Sequence, residues 1–148
     1  SAFLERGAPL PGVKGDVSRA LAVFAVGAIG FPNSSSDLAV SGTGGVSLTT
    51  ATNISLSSGA SVTSVNGPVA LSATQQLMPT SGAFVGISIS NAVVHATGSG
   101  SVTLLGKGGT SGGPQHGINV ASGGKVQSNT GAMLVQGTGG NSTGDSNY

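Results

Sequence analysis

Short apolar triplets recur at intervals of about eight residues through most of this chain. The outer two residues of a triplet are apolar and the middle one is small or polar, as in Ile54, Ser55 and Leu56. This alternation is the period-two signature of a β-strand with one buried face. Gly, Ser, Asn and Thr, the residues of tight corners, separate the triplets. Strands and corners at a constant spacing, with no helix-length segment between them, predict a solenoid.

The pattern, whole or in part, extends from residue 38 to residue 135. It occupies residues 38–40, 46–48, 54–56, 62–64, 69–71, 87–89, 93–94, 102–104, 118–120, 126–128 and 133–135. No Asp, Glu, Lys or Arg occurs within residues 38–106, and aromatic residues make up 3% of the whole chain. Such a chain cannot form a thick aromatic core, whereas a solenoid buries small apolar residues between thin stacked rungs.

Composition also excludes several classes of function. A net charge of +1 and the lack of a basic stripe oppose nucleic-acid binding. The absence of cysteine excludes disulfides and thiolate metal sites. The apolar segment 20–29 is shorter than the roughly 20 residues of a membrane-spanning helix. A hydrophobic content of 37% in regular triplets opposes disorder, despite the abundance of Gly and Ser.

A longer repeat is visible towards the C-terminus. Residues 106–113 align with residues 137–144 at an offset of 31 residues, and the preceding strand is repeated with them. Three strands of about eight residues give a rung of about 24, and a Gly-rich excursion of about seven extends it to 31. The spacing therefore predicts a three-sided coil with an insertion at one corner. Residues 42–45 are interpreted as a short form of the same corner.

The second copy of this repeat stops at Tyr148, before the strand that would match residues 118–120. We expect the chain to be a piece of a longer protein, or its last rung to be completed by another molecule. An open rung presents unpaired N–H and C=O groups. Met133, Leu134 and Val135 are therefore the candidate assembly edge, with the chain itself or the rest of a longer chain as the partner, stacked end to end.

The N-terminal part has a different composition, because five of the nine charged residues lie within residues 1–19. We predict an N-terminal cap or docking segment over residues 1–36 and a parallel β-helix over residues 37–148. Three alternatives remain for the apolar part of the segment. It forms a short capping helix over residues 16–29, a further strand of the solenoid, or a secretory apolar region.

From Asp37 onwards, about three quarters of the chain resembles the β-helical repeat regions of large bacterial secreted surface proteins. These are the proteins of the filamentous-haemagglutinin and autotransporter-passenger type. The residues that carry the resemblance are 40–50, 101–109 and 135–140, with Asn147 and Tyr148. The resemblance implies an all-β fold, a right-handed parallel β-helix with about three short strands per rung. It also implies export from a bacterial cell and a role in adhesion or surface structure.

Parallel β-helices also include polysaccharide lyases and glycoside hydrolases, which need clustered carboxylates. The predicted solenoid holds two acids, Asp37 and Asp145, near its opposite ends. His95 and His116 have no carboxylate or thiol near them in sequence, and His95 is expected at the surface or at a corner. No Ser-His-acid arrangement can be assembled. We therefore predict no catalytic, cofactor-binding or metal-binding residues.

The sequence favours a non-catalytic structural or adhesive module of an extracellular or cell-surface protein, with host or matrix glycans as possible partners. A self-assembling subunit of an extracellular filament is the alternative, because it shares the fold and differs in whether the ends are covered. A carbohydrate-active enzyme is the third hypothesis. No cofactor, nucleic acid or membrane span is expected.

Overall fold

The computed structural model of the chain describes residues 2–5, 16–17, 20–112 and 115–140, with side chains for 20–112 and 115–140. These residues form fifteen β-strands and no helix. The strands are β1 (Ala2–Glu5), β2 (Asp16–Val17), β3 (Leu21–Ala25), β4 (Ile29–Phe31), β5 (Asp37–Val40), β6 (Val46–Thr50), β7 (Ile54–Ser57), β8 (Ser61–Ser64), β9 (Val69–Ala73), β10 (Ile87–Ser90), β11 (Val93–Ala96), β12 (Val102–Lys107), β13 (Ile118–Ala121), β14 (Lys125–Ser128) and β15 (Met133–Thr138).

The strands lie in three parallel sheets. The six-stranded sheet has the order β1-β3-β6-β9-β12-β15, the four-stranded sheet β13-β10-β7-β4, and the five-stranded sheet β14-β11-β8-β5-β2. From β3 onwards the chain visits the three sheets in turn, so each turn of the chain adds one strand to each sheet. This is a parallel β-helix with three strands per rung, and the fold class predicted from the sequence is confirmed.

Equivalent residues of successive rungs stack directly on one another. In the four-stranded sheet Ile29, Ile54, Ile87 and Ile118 form one column of register partners. Ile54 and Leu56 are fully buried, whereas Ser55 between them is partly exposed. The predicted burial of the outer triplet residues is confirmed here, because alternate side chains of a strand point to opposite faces of the sheet. The core is therefore a stack of thin apolar layers.

The corner between the six-stranded and four-stranded sheets carries the length variation. Its links are short in the first two complete rungs, at residues 26–28 and 51–53, and long in the next two, at residues 74–86 and 108–117. One column of the six-stranded sheet accordingly falls at Leu21, Val46, Val69, Val102 and Met133, which are 25, 23, 33 and 31 residues apart. The prediction of an insertion at a single corner is confirmed.

The glycines of residues 42–45 belong to a different corner, the one between the five-stranded and six-stranded sheets. Their interpretation as a short form of the long corner is therefore wrong. Close stacking of successive rungs explains the glycines instead. A Cβ atom on Gly67 would collide with the carbonyl oxygen of Gly44, and one on Gly45 would lie 2.9 Å from the Cδ of Pro68.

The third corner, between the four-stranded and five-stranded sheets, repeats one backbone conformation. Ser58, Asn91 and Ser122 follow stacked strands, and their φ angles are 52°, 48° and 51°. These values lie in the left-handed region, which non-glycine residues adopt uncommonly. The same turn shape therefore recurs in three successive rungs.

The coil already includes part of the predicted N-terminal segment. Strands β3 and β4 pair in register with β6 and β7. Leu21, Val23, Ile29 and Phe31 are buried with the rest of the core. The helix considered over residues 16–29 is therefore wrong for the described residues, and a further strand of the solenoid is the alternative that holds. Residues 1, 6–15, 18 and 19 of the predicted segment lie outside the described part.

Candidate functional site

The titratable residues considered for catalysis lie apart. Asp37 begins β5, and its Oδ1 accepts a hydrogen bond from the Oγ of Ser61 at 2.9 Å. His95 lies within β11, two rungs further along the same sheet, with its side chain partly exposed. Asp37 and His95 are therefore two rungs apart along the coil and two residues apart along the strand direction, which corresponds to a distance of roughly 12 Å. His116 belongs to the long link 108–117, and Asp145 lies outside the described residues.

The expectation that His95 sits at the surface or at a corner needs one refinement, because the residue is in the middle of a strand. Thr63 and Gln127 are its register partners in the neighbouring rungs, and neither is charged. Across the described ranges, no three His, Cys, Asp or Glu side chains come close enough to hold a metal ion. The polar residues singled out from the sequence therefore do not converge on one site.

A groove does form at the variable corner. Its volume is about 420 Å³, and it is lined by residues 24–26, 49–51, Gln75 and Gln76. These residues come from three successive rungs, so stacking of the rungs builds the groove. Its lining is neutral and mainly apolar, with hydroxyl and amide groups from Thr49, Thr50, Gln75 and Gln76. Small-molecule sites commonly combine apolar walls with a few polar groups in this way.

The long link 74–86 borders this groove and is fixed at its base. The Nε2 of Gln76 donates hydrogen bonds to the carbonyl oxygen of Ala51 at 2.9 Å and to the Oγ1 of Thr80 at 3.1 Å. The hydroxyl of Thr80 donates to the same Ala51 carbonyl. Thr74 opens the link at a φ of 57°, and its N–H donates to the Thr50 carbonyl at 3.0 Å. The preceding rung therefore holds the link in place.

Exposed apolar side chains line the groove at Phe24 and Val26, and two more follow the lining residue Gln76 in the sequence. Phe24 is 46% exposed and Val26 80%, while Leu77 and Met78 in the link are 101% and 84% exposed. We call these four residues the corner surface. Groups of exposed apolar residues, unlike isolated ones, mark contact sites for ligands or partners. The period-two pattern could not indicate this surface, because Leu77 and Met78 lie outside the strands.

The predicted assembly edge lies on the last described rung. Met133, Leu134 and Val135 are 45%, 51% and 47% exposed. Their register partners are Val102, Thr103 and Leu104, of which Val102 and Leu104 are fully buried. Met133 and Val135 thus occupy inward positions of the coil and are exposed because no described strand lies beyond β15.

The other two strands of this rung are uncovered in the same way. Val120 of β13 is 44% exposed, although its partner Ile89 is fully buried. Within the described part of the chain, β13, β14 and β15 each pair on one side only. Among the described residues, the three candidate residues therefore belong to a continuous uncovered rung, which we call the open end. Lys125 at the start of β14 places one exposed positive charge beside it.

Comparison of the chain with protein-family models, with curated proteins and with solved structures finds no match. Within the described ranges, no helix has the length and hydropathy needed to cross a membrane. The corner surface and the open end are the two features of the described residues that bear on function.

Proposed function

We propose that this chain is a non-catalytic structural and adhesive β-solenoid module of a bacterial extracellular surface protein. The corner surface is the observation that carries the proposal. Two of its exposed apolar residues, Phe24 and Val26, line the groove, and the other two, Leu77 and Met78, lie on a link that hydrogen bonds hold against the coil. The resemblance of residues 40–50, 101–109 and 135–140 to secreted bacterial repeat regions supports the bacterial and extracellular part of the proposal.

A neutral glycan of the host or of the extracellular matrix is the ligand that this groove suits best. Among the residues with described side chains, none that lines the groove is charged, and such a lining suits a neutral ligand. The partly exposed ring of Phe24 offers an apolar surface to one face of a sugar ring. Thr49 and Gln75 add hydroxyl and amide groups that can exchange hydrogen bonds with sugar hydroxyls.

Binding of the purified chain to immobilised neutral polysaccharides and to cultured epithelial cells tests this proposal. The double variant Leu77→Ser, Met78→Ser and the single variant Phe24→Ser should each reduce binding at least about tenfold, equivalent to 1.4 kcal/mol. Thr43→Ala is the matched control, since Thr43 is exposed at a different corner. Equal binding by all four proteins, each with an unchanged circular dichroism spectrum, would contradict an adhesive role for the corner surface.

A self-assembling subunit of an extracellular filament is the second candidate, and the open end is the observation that favours it. Inward residues of β13 and β15 that are buried in other rungs are exposed there. Their burial by a second copy would continue the stack at the usual ~4.8 Å spacing. Electron microscopy and light scattering over a range of concentrations test this candidate. Fibres that lengthen with concentration support it, and a monomer at every concentration contradicts it.

A further inference from the structure

The corner between β4 and β5 carries a sequence motif that neither the fold nor the proposed adhesion uses. Asn33, Ser34 and Ser35 form an Asn-x-Ser triplet, the acceptor motif of asparagine-linked glycosylation. All three residues are exposed. Such triplets arise often by chance in a chain rich in Asn and Ser, so the local structure must decide whether this one can react.

The structure presents the Asn33 side chain to solvent in a defined turn. The N–H of Ser35 donates to the Oδ1 of Asn33 at 2.8 Å, and the N–H of Ser36 donates to the Asn33 carbonyl at 2.9 Å. Ser36 is buried and ties the turn to the coil. The Nδ2 of Asn33 makes no hydrogen bond with any described residue, and the side chain is exposed, so the nucleophilic atom has no competing partner among these residues.

A second triplet, Asn53, Ile54 and Ser55, provides an internal comparison. Ile54 is fully buried and begins β7, which pairs with β4 on one side and β10 on the other. The Asn53 carbonyl accepts a hydrogen bond from the N–H of Ile29 at 2.9 Å. A transferase could enclose this triplet only if a central strand left the coil.

We propose that Asn33 is a glycosylation site of the folded chain and that Asn53 is not. In the transfer, the Nδ2 of Asn33 attacks the anomeric carbon of a nucleotide-activated sugar. The bond from that carbon to the phosphate oxygen breaks, and the nucleoside diphosphate leaves with its electron pair. One Nδ2 proton passes to a base of the transferase. The relevance of the site in the cell rests on the proposed export of the chain, but its acceptor chemistry does not.

The test uses the full chain with Asn141→Gln, which removes a third triplet at residues 141–143, outside the described part. The protein is incubated, folded, with a soluble asparagine glycosyltransferase and UDP-glucose, and a known acceptor protein serves as the activity control. Intact mass measures the extent of transfer, and peptide mapping locates the sugar. We expect one hexose per chain, on Asn33, and at least tenfold less on Asn53.

Two variants distinguish a specific acceptor from an accessible amide. Ser35→Ala removes the hydroxyl that the motif requires but keeps the backbone N–H that bonds to Asn33, so transfer should fall at least tenfold. Ser35→Thr should restore it. The proposal is overturned if Asn33 stays unmodified while the acceptor control reacts, if Asn53 is modified equally, or if Ser35→Ala has no effect. Binding to polysaccharide is measured separately, so failure of the adhesion proposal leaves this result unaffected.

Discussion

At the scale of single residues, the coil depends on a core that is only one side chain deep on each sheet. Leu56 is fully buried between Phe31 and Ile89, its partners in the rungs on either side. Removal of such a side chain leaves a cavity that neighbouring layers can close only by shifting the register of stacked strands. Inward and outward positions should therefore respond very differently to substitution.

Leu56→Ala should lower the free energy of unfolding by about 2–5 kcal/mol, the range for a buried leucine whose site collapses incompletely. Ser55→Ala, the adjacent outward position, should change it by no more than about 0.5 kcal/mol. Urea unfolding followed by circular dichroism measures both. Similar effects at the two positions would contradict the burial pattern of β7.

A second prediction at this scale concerns the left-handed turn at Ser58, where substitution by glycine should raise the stability of the chain. Ser58→Gly should stabilise the chain by up to about 1 kcal/mol, because glycine adopts a φ of 52° without the steric penalty of a Cβ atom. Ser55→Gly is the control, and it should destabilise by about 0.5–1 kcal/mol, since the strand gains nothing from glycine. Thermal unfolding compares the two variants, and a loss of stability in both would contradict the turn geometry.

At the scale of strands, hydrogen-bond direction alternates along each edge. The N–H groups of Val46, Val69 and Val102, all inward residues, donate to the following rung at 2.8–2.9 Å. Met133 continues this column, and Val135 lies two residues further along the same strand. Their N–H groups therefore point away from β12, whereas the N–H of Leu134 points back towards it. The open edge has donors at alternate positions only.

Under the filament hypothesis, Val135→Pro should abolish growth of fibres, because it removes a donor that points out of the open edge of β15. The folded coil should be little affected, since proline is tolerated where an edge N–H faces outwards. Leu134→Pro should instead destabilise the coil itself by removing a bond to β12. Light scattering and thermal unfolding together separate the two effects.

Ser111→Ala, in the exposed part of the long link, is a control that should change neither quantity, because it keeps the N–H that donates to the Gly82 carbonyl at 3.2 Å. Growth of Val135→Pro at the wild-type rate would count against strand pairing across the open end.

Strand positions could be predicted from sequence, whereas the corner surface could not. In a strand that is buried on one face, every second residue is apolar, so the sequence alone indicates that Ile54 and Leu56 point inwards. Leu77 and Met78 follow no period, and their exposure depends on hydrogen bonds from Gln76 and Thr80 to a residue one rung earlier. The secondary structure of residues 20–29 could not be predicted from the sequence, because a short run of apolar residues fits a helix or a strand equally well.

At the scale of the whole molecule, variation in rung length is confined almost entirely to one corner. The links at residues 74–86 and 108–117 lengthen their rungs without disturbing the register of the three sheets. Doubling the length of a flexible loop costs only about 0.6 kcal/mol in closure entropy. The coil should therefore accept foreign sequence at this corner.

Insertion of a polar peptide of about the link's own length between Ser81 and Gly82, beyond the hydrogen bonds of Gln76 and Thr80, should lower the free energy of unfolding by about 0.6 kcal/mol. The same peptide between Ser58 and Gly59 should prevent stacking, because that corner is a tight turn shared by three rungs. Far-ultraviolet circular dichroism and thermal unfolding measure the outcome. Equal tolerance at both positions would contradict the division of the corners into variable and fixed.

The pairing of each rung with its immediate neighbours alone also determines how the molecule bears load. Tension applied along the coil axis should break the pairing of one rung at a time, because each described strand pairs only with strands of the adjacent rungs. The coil should then unfold one rung after another. The chain length released in each step should follow the rung lengths of 25, 23, 33 and 31 residues. A surface protein built this way would yield gradually under shear and recover turn by turn when the force is released.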